Sequence, residues 1–237
     1  MSRINADGIV VDFPIYGLRS RSLKQTVIRA ATGAALATDA NDRVVVRALD
    51  HVSFELREGD RVGLIGHNGS GKTTLLRTIA GIYEPVAGRI SVYGRIASML
   101  SLMLGMDQEA TGYENIFLRG ATMGLTKREI EKIVDDVCEF SELGEYIEMP
   151  MRMYSAGMSM RLAFAISTSV TADIILMDEW LSVGDAGFAE KSKRRLNELV
   201  DQAKILVLAS HSPEVIKENC SKVIRLEHGR VAGVDWL

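Results

Sequence analysis

The stretch that decides the fold of this chain is Gly66-His67-Asn68-Gly69-Ser70-Gly71-Lys72-Thr73. Its glycines and its closing Lys-Thr pair have the spacing of a phosphate-binding loop. The run before it, Arg61–Ile65, predicts a short buried strand, and the run Thr74–Ala80 predicts the start of a helix. Because strand, loop and helix in this order are the context that the motif requires, a chance glycine-rich turn is disfavoured.

Loops of this kind bind phosphate for a direct physical reason. Glycines let the backbone N–H groups turn inward around phosphate oxygens, and the following helix adds the positive end of its dipole. We therefore expect Lys72 to supply a positive charge for the β and γ phosphates of a nucleotide. The Thr73 hydroxyl is expected to be a ligand of Mg²⁺.

The composition is that of an ordinary globular protein. The 237 residues are 47% apolar and 25% charged, which is enough for one large α/β domain or two small lobes. A net charge of −3 argues against nucleic-acid binding through a basic face. Cys138 and Cys220 follow no metal-ligand spacing, so we interpret them as reduced thiols.

The chain shows no membrane-crossing or secretion signal. No apolar run approaches the roughly 20 residues needed to cross a bilayer. The stretch Met1–Asp7 carries an acid and has no apolar core, unlike a signal peptide. We therefore expect a cytoplasmic protein whose membrane association, if any, is indirect and comes through a partner.

Strand and helix patterns alternate along the chain. Strands are predicted at Gly8–Phe13, Val44–Val46, Val52–Leu56, Arg61–Ile65, Arg89–Tyr93, Asp173–Met177, Ile205–Ala209, Val223–Leu226 and Val231–Val234. Helices are predicted at Arg21–Ala31, Thr74–Ala80, Thr111–Tyr146, Ser155–Val170, Phe188–Val200 and Pro213–Asn219. Alternation of this kind indicates an α/β fold with a largely parallel sheet. The long helical block in the middle suggests a helical lobe inserted between two core strands.

A second candidate feature is the run Ile174–Glu179, in which four apolar residues precede two acids. A buried parallel strand would place Asp178 at its carboxyl end, where sheets of this kind bind ligands. Asp178 is then expected to hold Mg²⁺ through water, and Glu179 to polarise an attacking water. Taken alone this run is a weak signal, but paired with the upstream phosphate loop it becomes a strong one.

A short turn, Tyr154-Ser155-Ala156-Gly157-Met158, precedes another predicted helix and is a good second anion site. Together with the two features above it resembles the ATPase subunits of ABC transporters, whose signature typically reads Leu-Ser-Gly-Gly-Gln. The resemblance implies a P-loop NTPase fold with a RecA-like core, an antiparallel β subdomain and an inserted helical subdomain. It also implies ATP and Mg²⁺ as cofactors. In that family each nucleotide lies between the loop of one subunit and the signature of another, so the chain is expected to form a homodimer.

The same resemblance sets the expected domain organisation and site. We expect one nucleotide-binding domain, with the catalytic core and β subdomain at about 1–98 and 172–237 and an insert at 17–43. The region of about 99–171 is expected to hold the glutamine loop and the helical signature subdomain. The catalytic residues implied are Lys72, Glu179 and His211, the metal ligands are Thr73 and Asp178, and the nucleotide-binding residues are Tyr16, Gly66, His67, Asn68, Gly69, Ser70, Gly71, Lys72, Thr73, Thr74, Ser155, Ala156, Gly157, Met158 and Asp185.

Three of these assignments rest on position within the family pattern. His211 follows a predicted strand and resembles the switch histidine that contacts the γ-phosphate. Asp185 resembles the aspartate that communicates across the dimer. For the aromatic residue that stacks on adenine, Tyr16 is favoured over Phe13, because Phe13 continues the strand pattern.

The sequence also departs from the usual pattern. Ala156 and Met158 stand where most members have Gly and Gln. The glutamine that senses Mg²⁺ and touches the membrane partner should fall near Ser101 or Leu102, and no glutamine is there. Gln108 lies too close to the helical lobe to be an easy substitute, so the residue that replaces this glutamine is left open.

With these departures the sequence resembles the ATPases of polysaccharide exporters, which transport O-antigen, capsule or teichoic acid. The variant signature, the stretch Asp178–Asp185 and the segment Thr111–Ile116 all match that group, as does the insert Gly17–Arg43. The resemblance implies a peripheral subunit on the cytoplasmic face of the plasma membrane, bound to two copies of a membrane permease. The basic residues of the insert suit anionic lipid head groups, with a solvated surface loop as an equal alternative. The chain ends soon after the closing hairpin, so we expect no C-terminal sugar-binding domain.

Other functions remain as alternatives. Another transporter ATPase, such as an importer or a lipoprotein extractor, would share the loop and the acidic pair. A soluble ABC protein acting on ribosomes or DNA is disfavoured, because the chain has one cassette, no sustained heptads and an acidic net charge. A GTPase is disfavoured because no Asn-Lys-x-Asp motif occurs.

Overall fold

The computed structural model describes residues 1–15, 44–180 and 186–237, together with the backbone of 35–38. Three sequence-based expectations fall outside these ranges: Tyr16, the helix predicted at Arg21–Ala31 and Asp185. The insert at 17–43 falls outside them as well, except for the backbone of 35–38.

The described residues alternate between strands and helices. The strands are β1 (Arg3–Pro14), β2 (Ala35–Thr38), β3 (Val44–Arg57), β4 (Arg61–Ile65), β5 (Ala87–Tyr93), β6 (Ile96–Ser98), β7 (Ile174–Asp178), β8 (Ile205–Ala209), β9 (Lys222–Glu227) and β10 (Arg230–Trp236). The helices are α1 (Lys72–Ile79), α2 (Gly112–Thr122), α3 (Lys127–Ser141), α4 (Ala156–Thr168), α5 (Ala186–Gln202) and α6 (Pro213–Asn219). Short 3-10 turns lie at Gly144–Glu148 and Met151–Met153. Among these helices, none is long and apolar enough to span a membrane.

The strands form two sheets of different character. The first has the order β2-β3-β1-β5, and β1 pairs antiparallel with both of its neighbours. The second has the order β10-β9-β4-β8-β7-β6, and β4 runs parallel to β8 and to β9. Its inner strands are apolar along almost their whole length and are buried, as expected for parallel strands covered on both faces. The predicted parallel sheet is therefore confirmed.

The topology places the ends of three strands side by side. In this sheet β4, β8 and β7 are consecutive neighbours. The phosphate loop follows β4, Asp178 ends β7, and Ser210 follows β8. The carboxyl edge of a parallel sheet is where ligands bind in open α/β folds, so these ends define the candidate site.

The described part of the chain divides into two compact units. The first comprises 1–96, 176–180 and 204–237, and the second comprises 97–175 and 181–203. The first unit contains the four-stranded sheet and α1. The second contains α2 to α5. The subdomain boundaries expected from the sequence, near 98 and 172, stay a prediction.

Two helices of the second unit begin at capping boxes. Thr111 accepts a hydrogen bond from the Glu114 amide and receives the Glu114 side chain in return, and Thr126 and Glu129 do the same for α3. The single helical span predicted at 111–146 is thus two helices. The break is at Gly124, whose φ of +77° lies in the left-handed region.

An aromatic cluster forms part of the core of the second unit. Phe164 of α4 and Phe188 of α5 both contact Phe140 of α3, with ring centroids 6.1 and 5.4 Å away. Arg195 lies over the Phe140 ring at 4.3 Å and also pairs with Asp136. These contacts join α3, α4 and α5 through apolar burial and a shielded cation.

Candidate functional site

The phosphate loop has a backbone that only glycine permits at two positions. Gly71 has a φ of +107°, and a Cβ there would lie 2.8 Å from the carbonyl oxygen of Ala48. A Cβ on Gly66 would overlap the carbonyl oxygen of Leu226. The loop is therefore pressed against β3 and β9, and any side chain at these positions would force it open.

The side chain of Lys72 folds back over the phosphate loop. It is 7% exposed, and its ammonium donates hydrogen bonds to the carbonyl oxygens of Gly66 at 2.7 Å and His67 at 3.2 Å. Burial lowers the pKa of Lys72, while the negative charges of Asp178 and Glu179 act in the opposite direction. The loop thus holds a positive charge at its centre, where an anionic group would be stabilised.

Ser70 supplies an unused hydrogen-bonding group in the same loop. Its side chain is 1% exposed, and its Oγ has no hydrogen-bond partner among the described residues. An unsatisfied buried hydroxyl costs about 1–3 kcal/mol. A phosphate oxygen bound in the loop would remove that cost, so this orphaned hydroxyl fits the anion that the loop pattern predicts.

Thr73 and Asp178 bring two side-chain oxygen atoms together at the start of α1. The Thr73 hydroxyl donates to Oδ2 of Asp178 at 2.6 Å. Hydroxyl and carboxylate oxygens suit Mg²⁺, which usually takes few protein ligands and completes its shell with water and phosphate. No cluster of three or more His, Cys, Asp or Glu in the described ranges could hold a metal alone. This chemistry fits a magnesium ion held jointly with a nucleotide.

A cleft of about 460 Å³ opens beside the loop, within the first unit. That volume falls in the usual range for small-molecule sites. Its lining combines three apolar side chains with residues of the phosphate loop. The lining residues are Phe13, Val46, Ala48, Asn68, Gly69, Ser70, Gly71, Lys72, Thr73, Thr74, Asp178 and His211.

Phe13 is one of the apolar residues that line this cleft. Its ring meets Tyr83 edge-on with centroids 5.0 Å apart, and the Tyr83 hydroxyl accepts a hydrogen bond from Arg77 at 3.0 Å. Phe13 therefore packs against Tyr83 and contributes an aromatic side chain to the lining of the cleft. Stacking of adenine on Tyr16 stays a prediction, because Tyr16 lies outside the described residues.

Glu179 lies at the same edge and is tied to the segment that follows β8. Its Oε2 accepts a hydrogen bond from the Ser210 hydroxyl at 2.7 Å, and its Oε1 accepts one from the His211 amide at 3.0 Å. The imidazole Nε2 of His211 is 3.9 Å from Oε1 of Glu179. The His211 side chain is 58% exposed. The two residues expected to act in hydrolysis are thus adjacent.

The signature residues lie in the second unit and are not among those lining the cleft. Ser155 is the N-cap of α4, and its Oγ accepts a hydrogen bond from the Met158 amide at 3.2 Å. Ser155, Ala156 and Gly157 are exposed, and a Cβ on Gly157 would have only the Ser155 Oγ nearby, at 3.8 Å. The N-terminus of this helix is open to a binding partner.

The position expected for the missing glutamine has no obvious replacement. Ser101 is exposed and Leu102 is buried at 7%. The following turn is fixed by Arg119, which donates to the Leu104 carbonyl oxygen at 2.7 Å. The Gln108 carbonyl oxygen accepts from the Arg152 amide. None of these residues is among those that line the cleft.

Sequence reasoning missed three contributors to the site. Val46 and Ala48 line the cleft, and their spacing of two along β3 was a signal that could have found them. Ser210 contacts Glu179, and a hydroxyl directly after a buried strand was the available clue.

Comparison with known proteins adds a family match and several relatives. A sequence model of the family described as ABC transporter matches residues 49–182. The O-antigen export system ATP-binding protein RfbE of Yersinia enterocolitica is 42% identical over 231 residues, which cover 98% of this chain and 97% of that protein. RfbB of Myxococcus xanthus, also named as an O-antigen export ATP-binding protein, is 37% identical, with 96% of this chain and 53% of that protein covered. TagH of Bacillus cereus, a teichoic acids export ATP-binding protein, is 41% identical, with 80% and 34% covered.

Solved structures support the fold independently. An ATP-binding cassette solved as a dimer in a post-hydrolysis state with ADP and Pi has a TM-score of 0.69 at 19% identity, with 99% of this chain and 98% of that chain covered. The ATP-binding subunit of an ABC transporter gives 0.67 at 21% identity, with 99% and 90% covered. At these identities the likeness shows the fold alone, which is the α/β fold of ATP-binding cassettes.

Proposed function

This chain belongs to the ABC transporter family, and on that premise we propose that it is the ATP-hydrolysing subunit of a polysaccharide exporter. The proposal of ATP hydrolysis rests on one observation. Lys72, the Thr73–Asp178 pair and Glu179 lie at the same edge of the sheet. Full-length similarity to a protein named for O-antigen export supports the cargo class. The cargo proposed is therefore a lipid-linked glycan.

Phosphate binding is assigned to the loop and Lys72. The Lys72 ammonium already bridges two loop carbonyls, so it is held ready to stabilise the β and γ phosphates. The buried Ser70 hydroxyl has the hydrogen-bonding capacity to join it. The backbone N–H groups between Gly69 and Thr74 and the start of α1 add further positive potential.

Base binding is assigned to the apolar residues that line the cleft. Val46 and Ala48 supply one wall, and Phe13, supported by Tyr83, supplies an aromatic surface. Tyr16 follows closely in the chain and remains our proposed stacking partner for adenine.

The metal site is assigned to Thr73 and Asp178. The Thr73 hydroxyl donates its proton to Asp178 and keeps two lone pairs, so its oxygen would ligate the cation while Asp178 would hold it through water. When bound, Mg²⁺ neutralises charge on the phosphate oxygens. The hydrogen bond to Asp178 fixes the position of the Thr73 hydroxyl.

Hydrolysis is assigned to Glu179 and His211. The Glu179 carboxylate accepts a hydrogen bond from the attacking water and orients it toward the γ-phosphate. The imidazole of His211 lines the cleft and makes no hydrogen bond to Glu179 at its 3.9 Å separation. It is thus available to contact the γ-phosphate.

A second copy of the chain is proposed to complete each site. Ser155, Ala156, Gly157 and Met158 begin α4, whose N-terminus is open and carries the positive end of a helix dipole. We assign these residues, with Asp185, to the nucleotide of the partner copy. Two ATP molecules then lie at a two-fold interface, and their binding energy closes the dimer before hydrolysis reopens it.

The transport partner is proposed to be a membrane permease present in two copies. The chain would act at the cytoplasmic face of the plasma membrane as a peripheral subunit. A contact of the 17–43 insert with lipid head groups is part of this proposal, based on its basic residues, which are Arg19, Arg21, Lys24 and Arg29.

Co-expression with the membrane subunit tests the proposal. The wild type and Glu179→Gln are compared for ATP hydrolysis by the purified complex and for surface glycan in the same cells. The proposal expects both to be lost in the variant while lipid-linked glycan accumulates inside. Loss of hydrolysis with normal surface glycan would contradict the proposed cargo, and wild-type hydrolysis in the variant would contradict the role of Glu179.

A further inference from the structure

We propose that Ser210 is a positioning residue for ATP hydrolysis, which holds the carboxylate of Glu179 through its hydroxyl group. The inference rests on the proposed function, in which Glu179 orients the attacking water. It adds a residue that was not among the predicted site residues.

Glu179 occupies an unusual backbone conformation. Its φ is +80°, in the left-handed region that residues with a Cβ seldom adopt. Its amide donates to the carbonyl oxygen of Ala209, the last residue of β8, at 2.8 Å. Conformations of this kind persist only where the surrounding contacts fix them, and they cluster at functional sites. The contacts made by the side chain show what fixes this one.

Each oxygen of the Glu179 carboxylate receives one hydrogen bond from the segment after β8. Ser210 Oγ lies 2.7 Å from Oε2, and the His211 amide lies 3.0 Å from Oε1. The His211 imidazole is too far from Oε1, at 3.9 Å, to make a hydrogen bond. Ser210 therefore supplies the side-chain hydrogen bond that holds Glu179, and the imidazole of His211 is left to face the cleft.

The direction of the Ser210 hydroxyl is also fixed. Ser210 is 5% exposed, and its Oγ accepts a hydrogen bond from the Ser212 amide at 3.2 Å. An ionised carboxylate only accepts hydrogen bonds, so the Ser210 proton must point at Glu179. A hydrogen bond to a charged acceptor is stronger than one between neutral groups. Ser210 thus restrains the carboxylate and leaves lone pairs on both oxygens for a water molecule.

Kinetic comparison of the full-length chain tests this role. In Ser210→Ala we expect kcat to fall about tenfold or more, the range for losing a hydrogen bond to a charged group. The KM for ATP should stay within about twofold, since Ser210 is not among the residues assigned to nucleotide binding. Ser210→Thr keeps the hydroxyl and should restore most of kcat.

Ser212→Ala is the matched control in the same segment. It removes a hydroxyl of the same size that caps α6 by accepting from the Val215 amide at 3.3 Å. The Ser212 amide that contacts Ser210 is backbone and is retained. We expect this variant to lower the melting temperature and to keep kcat near that of the wild type.

A double-mutant cycle with Glu179→Gln separates positioning from general damage. If Ser210 acts through Glu179, Ser210→Ala should add little to the loss already caused by Glu179→Gln, as measured by single-turnover rates. Equal losses in both backgrounds, equal losses in the Ser210 and Ser212 variants, or normal kcat in a folded Ser210→Ala would each overturn the inference.

The same measurements keep the two proposals distinguishable. ATP hydrolysis without glycan export overturns the proposed cargo and leaves the role of Ser210 supported if the cycle shows coupling. A wild-type chain that does not hydrolyse ATP removes both proposals.

Discussion

The hydroxyl of Thr73 donates a 2.6 Å hydrogen bond to Asp178, which joins the first turn of α1 to the last residue of β7. The sheet brings these residues together although they are far apart in the chain. Because each supplies an oxygen at the same point, this pair is the proposed site of Mg²⁺.

Asp178→Asn should weaken the response to Mg²⁺ more than nucleotide binding itself. The amide keeps the size of the side chain and can still accept from Thr73, but it removes the negative charge that a hard cation requires. We expect Mg²⁺-dependent hydrolysis to fall about 100-fold or more, on the scale of a lost electrostatic contact in a catalytic site. Titration of hydrolysis with Mg²⁺ measures this, with nucleotide binding in the presence of EDTA as the second readout.

Thr73→Ser is the matched control for this site, because it retains the hydroxyl and removes one methyl group. It should keep most of the Mg²⁺-dependent activity. An Asp178→Asn protein that hydrolyses ATP with the wild-type Mg²⁺ dependence would rule out a metal site at this pair.

The glycines of the loop allow a test of backbone geometry. Gly71→Ala would place a Cβ 2.8 Å from the Ala48 carbonyl oxygen at a φ of +107°, so the loop must move away from β3. We expect ATP affinity to fall about tenfold or more, since a loop shifted by a few tenths of an ångström misdirects its amides. Isothermal titration with ATP under conditions that prevent hydrolysis provides the measurement.

Gly81→Ala is the control for Gly71→Ala. Gly81 also has a positive φ, +74°, but a Cβ there meets nothing within 4 Å. It should lower the free energy of unfolding by about 1 kcal/mol through backbone strain and leave ATP affinity unchanged. Similar losses of affinity in both variants would mean that strain, rather than contact with β3, controls the loop.

Local sequence was sufficient for the parts of this site that depend on short-range chemistry. The loop from Gly66 to Thr73 needs glycine at defined positions, and those requirements are visible as a motif. The burial of β7 and the location of Asp178 at its end follow equally from an apolar run that stops at an acid.

Contacts between segments that are distant in the chain could not be predicted from local sequence. The positive φ of Glu179 and its hydrogen bond from Ser210 depend on β7 and β8 being neighbours, which no local pattern states. The strands predicted at Val44–Val46 and Val52–Leu56 are one strand, β3, because pairing with β1 continues past His51 with shifts in register.

A buried carboxylate predicts a pH dependence of stability. Asp50 is 7% exposed, and it joins β3 to Arg230 by a 2.6 Å hydrogen bond. Burial alone would raise the pKa of Asp50, but hydrogen bonds to His51 and Arg230 outweigh it and lower the pKa below its usual value. Since the folded-state pKa is the lower one, the ionised form stabilises the fold above the unfolded pKa of about 4.

Asp50→Asn should therefore destabilise the protein near neutral pH, by about 2 kcal/mol, the scale for losing hydrogen bonds to charged groups. The difference from the wild type should shrink as the pH falls below about 4, because Asp50 of the unfolded chain takes up a proton there while the folded protein does so only at lower pH. Urea unfolding at several pH values measures it. A difference that stays constant from pH 7 to pH 3 would show that charge is not the cause.

The exposed start of α4 predicts a variant that folds but cannot close the dimer. Gly157→Asp has open space for its side chain, and an acid near a helix N-terminus is favourable by a few tenths of a kcal/mol. The melting temperature should therefore be equal to or slightly above that of the wild type.

In the proposed dimer the same carboxylate would face the γ-phosphate of the partner copy's ATP and repel it. In a Glu179→Gln background, which should accumulate closed dimers, light scattering with ATP should show dimers for Gly157→Ala and monomers for Gly157→Asp. Dimers of the Asp variant that are as stable as those of the Ala variant would place the nucleotide interface elsewhere.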